Sequence, residues 1–325
     1  MRVFSGIQPT GAIHIGNYLG AIKQWVKLQE KAECVFSIVD LHAITVPYQP
    51  KDLKKNILDA AICYLAIGIN PEKSILFVQS EVKEHTELAW LLNTITSIGD
   101  LQRMIQYKEK AKQFKKAAFA GLLNYPILMA ADILLYKTDT VPVGKDQQQH
   151  VELTREIARR FNHRFGKTFK IPKAQIPKIG AKIMALTNPK KKMSKSLGPD
   201  CYVSLFEEPE IIKKKIIAAV TDPGRKIVYS PQKKPGISNL LIIYSLFSGK
   251  SIKELEKDFK GKGYAKFKKS LIKLLIDSLE PFRRKRKELL SREVYVQEIL
   301  KQGKRKAEVI AQSTMQEVKK KMGLI

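Results

Sequence analysis

Short continuous apolar runs, separated by segments with helical periodicity, constrain the first half of this chain more than any other feature. Arg2-Val3-Phe4 is a strand candidate that Ser5-Gly6 and the turn-forming Gln8-Pro9-Thr10-Gly11 would end. Between Ile15 and Glu30, Leu19, Ile22, Val26 and Gln29 follow helical spacing, with Trp25 beside them. Residues 35–39 and 74–78 are mostly apolar on both parities, as strands covered on two faces must be, and residues 52–66 between them read as an amphipathic helix. Strands that alternate with helices build a parallel sheet with crossover connections, so the fold class expected here is α/β.

After about residue 187 the pattern changes. Strand-like runs become scarce, and helical periodicity with basic faces takes over at residues 237–247, 252–259 and 264–279. Glu280-Pro281 is expected to break the last of these, and residues 282–322 are mostly compatible with helix. A chain of 325 residues fits two domains. The expected division is 1–187, an α/β domain, and 188–325, a helical domain whose last helix could pack back on the first.

Charge separates the two parts as well. The 59 Lys and Arg against 31 Asp and Glu leave +28, of which +10 falls in 1–187 and +18 in the shorter 188–325. Such an excess points to a polyanion as partner, nucleic acid or an anionic surface. Cys34, Cys63 and Cys201 lack CxxC spacing, so neither a disulfide framework nor a zinc site is expected, and a reducing compartment suits them. The first residues carry no apolar stretch of signal-peptide type, and no apolar run approaches the roughly 18 residues a membrane helix needs. The expectation is a soluble cytoplasmic protein without a membrane partner.

Two segments carry chemistry. His14-Ile15-Gly16-Asn17 lies between the first strand and the first helix, where open α/β sheets bind nucleotides. A helix start offers free N–H groups and a positive dipole end to phosphate, Gly16 lets a flat adenine or ribose approach the backbone, and His14 can donate to phosphate oxygens. A capped helix start with a surface histidine accounts for these four residues equally well. The second segment, Lys192-Met193-Ser194-Lys195-Ser196 followed by Leu197-Gly198-Pro199, is a cationic loop able to close on a pyrophosphate leaving group.

HIGN at 14–17 and KMSKS at 192–196 resemble the two signatures of class I aminoacyl-tRNA synthetases. With Phe4-Ser5-Gly6-Ile7-Gln8-Pro9, the stretch from Asn124 to Leu134, Val141-Pro142-Val143-Gly144 and Lys234-Pro235-Gly236-Ile237-Ser238-Asn239-Leu240, the chain is similar to the bacterial-type tryptophanyl-tRNA synthetase family. The resemblance implies a Rossmann-like nucleotide-binding domain followed by an all-α anticodon-binding domain, a homodimer, and ATP with Mg²⁺, L-tryptophan and tRNA(Trp) as substrates and partners in protein biosynthesis.

Residue roles follow from the resemblance position by position. Gln8, Pro9, Thr10, Gly16, Asn17, Lys110, Gly144, Lys145, Asp146 and Ile183 would contact ATP, with Asp146 on the ribose hydroxyls and Ile183 on adenine through its backbone. Lys192, Met193, Ser194, Lys195 and Ser196 would grip the triphosphate, and His14, Lys192 and Lys195 would be catalytic. Lys145 departs from the pattern, standing where the family commonly has an acidic residue. Lys110 also reads as a solvated helix charge. Asp132 would accept the indole N–H, since indole has one donor and no acceptor. Phe4, Met129, Ile133, Val141 and Val143 would form apolar walls, although each also reads as core. Tyr125 and Gln147 would hold the substrate ammonium, and His42, at a strand end, would face the same crevice or be a buried core histidine. No metal ligands are expected.

Three other readings share parts of this pattern. A tyrosyl-tRNA synthetase has the same nucleotide motifs but needs a pocket that both donates to and accepts from a phenol. A small nucleotidylyltransferase can share the HxGH-like helix start without KMSKS or a basic helical domain. A non-catalytic RNA-binding protein explains the charge and Arg283-Arg284-Lys285-Arg286-Lys287, but not Asp132.

Overall fold

Five strands form one sheet in the order β3-β2-β1-β4-β5 in the computed structural model, which describes residues 1–9, 11, 13–113, 119–144, 147–176 and 183–325, the side chains of Lys110, Lys112 and Gln113 excepted. The strands are β1 (Arg2–Ile7), β2 (Glu33–Ile38), β3 (Ser74–Val78), β4 (Thr140–Pro142) and β5 (Lys173–Gln175). All pairings are parallel: Phe4 faces Val35, Val35 faces Ile75, Val3 faces Thr140 and Val141 faces Ala174. The apolar runs thus become the central strands. The chain steps one way from β1 to β2 and β3, then returns to place β4 on the other side of β1. Ligands of such sheets bind outside the carboxyl ends of the strands at that reversal.

β1 runs on through Ser5 and Gly6, where a turn was expected. Both residues pair with β2, opposite Phe36 and Ser37. A Cβ on Gly6 would lie 2.7 Å from Val39 Cγ1, so the glycine serves close approach of the neighbouring segment rather than a bend.

Contacts divide the chain into two units, and the dividing points are not the linear boundary at 187. The first unit is Met1–Gly11, Trp25–Lys178 and Leu289–Ile325; the second is Ala12–Gln24 and Ile179–Glu288. Residues 289–325 join the first unit because the Glu293–Met322 helix buries Val296, Leu300, Ala307, Ala311 and Met315 against β3 and the helices Pro50–Ile67, Glu84–Asn93 and Ala120–Leu135. Its backbone rests on the sheet itself: a Cβ on Gly303 would lie 1.8 Å from the Leu76 carbonyl oxygen.

The second unit is largely helical, with helices at Pro209–Ala218, Pro235–Ser248, Ile252–Asp258 and Gly263–Leu290. In the last of these Phe267, Leu271, Leu275 and Leu279 are fully buried at every fourth position, while Lys266, Lys269 and Lys273 face solvent. Tyr244, Phe259 and Phe267 pack ring against ring at 5.0–5.6 Å. Pro281 does not end this helix, contrary to expectation. It lacks the N–H that would reach the Asp277 carbonyl, and the helix runs on past it; the Arg283 guanidinium donates to the neighbouring Ile276 carbonyl (3.0 Å). Among the described residues no helix is long and apolar enough to cross a membrane.

Candidate active site

His14 opens the first helix of the second unit as its N-cap. The ring Nδ1 accepts the Asn17 backbone N–H (3.3 Å), and the Asn17 Oδ1 accepts the His14 backbone N–H (3.1 Å). The two residues close a reciprocal capping box. Because Nδ1 is an acceptor there, the ring hydrogen sits on Nε2, leaving that atom a donor. Burial, and then the charges of Lys195 and Lys192, lower the His14 pKa to about 4, so the ring is neutral at pH 7. Capping and ligand donation, which the sequence left as alternatives, use different nitrogens and are compatible. Beyond Asn17 the helix widens into a π turn over Tyr18–Ile22 before resuming at Lys23–Leu28, an irregularity frequent beside functional sites.

The lysine-rich segment is one arm of a short antiparallel bridge in the same unit. Met184 faces Lys192, the Met193 N–H donates to the Ile183 carbonyl (2.9 Å), and the Ala185 N–H donates to the Lys191 carbonyl (2.8 Å). Met193 is buried, and its Sδ lies 3.4 Å from where a Cβ on Gly16 would be. That Cβ would also lie 2.9 Å from His14 Nδ1, so Gly16 is required by the capping ring as much as by any ligand. Ser194 shapes the loop: its Oγ lies 2.9 Å from Ser196 Oγ and accepts the Ser196 N–H (3.4 Å), starting the turn Lys195–Leu197. The two signature segments, far apart in the sequence, therefore meet, with a neutral N–H donor and two ammonium groups on one locus.

In the first unit a second group gathers at the carboxyl ends of the strands. Gln8 and Pro9 follow β1, His42 lies in the short helix Asp40–Ala43 after β2, Gln79 follows β3, and Val143 and Gly144 follow β4. Asp132, from the Ala120–Leu135 helix, is 1% exposed and joins several of them. Its Oδ1 accepts from Gln79 Nε2 (2.7 Å) and His85 Nδ1 (2.6 Å), and its Oδ2 from His42 Nε2 (2.7 Å). Burial alone would raise its pKa, but the charge and hydrogen bond of His42, with the hydrogen bond of His85, hold it well below the usual carboxylate range. A carboxylate offers about four acceptor positions. Among the described residues three of these are filled, and the remaining one is on Oδ2.

The neighbours of this carboxylate are fixed in turn. The Leu41 N–H donates to Gln79 Oε1 (3.2 Å), and Gln8 Nε2 donates to the His42 carbonyl (3.2 Å). The Tyr125 hydroxyl lies 2.9 Å from His150 Nε2, and its ring stands edge-on to His42 at 6.2 Å. Phe4, Ile133 and Val141 are core residues, Phe4 stacking on Tyr136 at 5.7 Å, whereas Met129 and Val143 are only partly buried against that core. Gln147 occupies the N-cap position of the Gln148–Phe165 helix.

Asp132, His42 and Tyr125 are thus brought together. Gln79, His85, Tyr136 and His150 were not read from the sequence. Gln79 had a signal, since it directly follows a strand end; His85 had none, lying 47 residues from its partner Asp132. Thr10, Lys145 and Asp146, and the side chain of Lys110, lie outside the described residues. Among the described residues no group of three or more His, Cys, Asp or Glu is placed to hold a metal ion.

Comparison with known proteins gives concordant results. The profile of the class I tRNA synthetases (W and Y) matches residues 1–280. A tryptophan–tRNA ligase of Caldanaerobacter subterraneus subsp. tengcongensis is 55% identical over 325 residues, which is 100% of this chain and 98% of that protein. The crystal structure of a tryptophanyl-tRNA synthetase from Mycoplasma pneumoniae is similar with a TM-score of 0.90 at 36% identity, covering 99% of this chain and 97% of that one. The enzyme from Campylobacter jejuni, solved with ADP and tryptophan, is similar with a TM-score of 0.86 at 41% identity, covering 99% and 100%.

Proposed function

The chain belongs to the class I tRNA synthetases of the W and Y family, and from that premise we propose how its residues join L-tryptophan to tRNA(Trp) at the expense of ATP. The observation that carries the choice of amino acid is Asp132: a buried, ionised carboxylate with one acceptor position left, on Oδ2, suits the single N–H donor of an indole. An analogue without that donor leaves the position unpaired, and such a mismatch can be worth about 10⁴–10⁵-fold in specificity. Met129 and Val143 line the approach, and Tyr125 with Gln147 holds the substrate ammonium.

The tryptophan carboxylate attacks the α-phosphorus of ATP, the bond from that phosphorus to the bridging oxygen breaks, and pyrophosphate leaves with the electron pair. A terminal ribose hydroxyl of the tRNA then attacks the activated carbonyl and AMP leaves. Phosphoryl transfer of this kind asks mainly for positioning and charge stabilisation. His14 Nε2–H donates to a phosphate oxygen, and Lys192 and Lys195 meet the charge that develops on pyrophosphate. Gly16, Asn17 and the Ile183 backbone hold the nucleotide, with Ser194 and Ser196 on the triphosphate. Mg²⁺ enters with ATP as part of the substrate. Its ligands would be phosphate oxygens and water, since His14 Nε2, Lys192 and Lys195 offer donors rather than acceptors.

The solvent-facing Lys266, Lys269 and Lys273 support the reading of the helical unit as a tRNA platform, since such charges position phosphates and make binding salt-dependent. The enzyme works in the cytoplasm as a homodimer, for which the exposed Trp90, Ile98 and Phe119 offer apolar surface to cover. Charging of a tRNA(Trp) transcript with radiolabelled tryptophan tests the overall reaction. An uncharged transcript in the presence of ATP, Mg²⁺ and active-site-titrated protein would contradict it.

A further inference from the structure

Asp132 does not stand on His42 alone. His85, whose side chain is fully buried, points Nδ1 at Asp132 Oδ1 (2.6 Å) and Nε2 at the Tyr136 hydroxyl (2.8 Å). An ionised carboxylate only accepts, so the hydrogen between His85 and Asp132 belongs to Nδ1. Burial, followed by the nearby Asp132 charge, pushes the Tyr136 pKa well above its ordinary value, so that hydroxyl keeps its proton and is placed to donate to Nε2. The Tyr136–His85–Asp132 series thus runs in one direction, each member donating to the next. Tyr136 is also held by Phe4, stacked on it at 5.7 Å, and by Phe77 in an edge contact at 5.8 Å, which fixes where the series begins.

We infer that His85 is a positioning residue for amino-acid selection: by donating to Oδ1 it keeps Asp132 ionised and oriented, so that the acceptor position left on Oδ2 meets the indole N–H. This rests on Asp132 being the indole acceptor, as proposed above. The titratable groups facing this cluster are His42 from the segment after β2, His85 and Glu84 from the Glu84–Asn93 helix, Tyr136 from the end of its own helix, and Glu308 from the C-terminal helix. Of these only the two histidines oppose the burial penalty on Asp132. Remove the His85 donor and, among the titratable groups, His42 alone opposes that penalty, so the carboxyl takes up a proton at higher pH. A protonated Asp132 turns one acceptor into a donor, which an indole N–H cannot use.

Two near-isosteric variants separate positioning from packing. The side-chain amide of His85→Asn places a nitrogen where Nδ1 was and keeps the bond to Asp132. That of His85→Gln reaches toward the Nε2 position, keeping Tyr136 and losing Asp132. ATP–pyrophosphate exchange is measured on the full-length enzyme with tryptophan and ATP varied in turn, from pH 5.5 to 8. The wild-type KM for tryptophan is expected to be nearly flat over that range. His85→Gln is expected to raise it about tenfold or more, the loss of one charge-assisted hydrogen bond, and to raise it further as pH falls, with the KM for ATP unmoved. His85→Asn is expected to stay within about twofold of wild type under the same principle. Should His85→Gln not fold, His85→Leu takes its place with the same expected profile. Equal KM values for tryptophan in both variants, a pH profile parallel to wild type, or a loss shared by both substrates would overturn the inference. Wild-type protein that exchanges with an amino acid other than tryptophan would instead strike the underlying assignment.

Discussion

Met193 Sδ lies 3.4 Å from the point a Cβ on Gly16 would occupy, and that same Cβ would press on the His14 ring at 2.9 Å. One missing methyl group therefore lets the helix start and the lysine loop share a locus. Gly16→Ala is expected to fold but to displace the capping ring, at about 1–3 kcal/mol of overpacking. Pyrophosphate exchange should fall at least about tenfold while thermal unfolding stays cooperative. Unchanged exchange would show that ring position and activation are uncoupled.

His14 caps its helix through Nδ1 and is proposed to donate through Nε2, and substitution can separate the two. Asparagine retains an acceptor near the Nδ1 position, so His14→Asn should keep the cap and lose the Nε2 donor. The expected result is a melting temperature close to wild type with an activation rate lower by about 10²-fold, the usual size for one transition-state donor. A large loss of stability instead would assign His14 mainly to the cap.

The same residue shapes stability against pH. His14 titrates near 4 in the folded protein against about 6.5 unfolded, so between those values the unfolded chain binds more protons. Stability contributed by the neutral ring is present above about pH 6.5 and is lost as pH falls toward 4, by at most about 1.4 kcal/mol per pH unit. Urea titrations of wild type and His14→Asn across this window should differ by that component. Parallel curves would show that the ring is not neutral.

Lys195→Ala should cut the rate of adenylate formation far more than it weakens ATP binding, because in the proposed mechanism the ammonium meets charge that grows as pyrophosphate leaves. Single-turnover rates and ATP affinity are the readouts. If both fell by the same factor, the lysine would grip the ground state.

Gly303→Ala tests the fold rather than the site. Its Cβ would lie 1.8 Å from the Leu76 carbonyl oxygen, a backbone atom that cannot step aside, so the C-terminal helix must lift from β3. A loss of about 3 kcal/mol or more in urea unfolding is expected. A loss under about 1 kcal/mol would mean that the helix does not sit on the strand as described.

The central strands were legible because burial on both faces writes a continuous apolar run, as at Val35 and Leu76. β4 and β5, three residues each, are too short to show a period. The HIGN and KMSKS segments were legible as chemistry, but their meeting was not, since nothing local links Gly16 to Met193. Pro281 was misread because a proline reports one missing N–H, a loss that the rest of the Gly263–Leu290 helix tolerates. The assignment of residues 12–24 and 289–325 to units away from their sequence neighbours depends on tertiary packing such as Gly303 on Leu76, which no periodicity encodes. Likewise Asp132 drew attention as a charge in an apolar run, whereas His85 and Gln79, which complete its hydrogen bonds, left no pattern in the chain.

The proposed choice of amino acid rests on Asp132, and ATP–pyrophosphate exchange with each of the twenty amino acids in turn, on wild type and Asp132→Ala, tests it most directly. Exchange by the wild type with tryptophan alone is expected, together with a folded variant that no longer discriminates tryptophan from phenylalanine. Wild-type exchange with tyrosine alone, or undiminished discrimination in the variant, would contradict it.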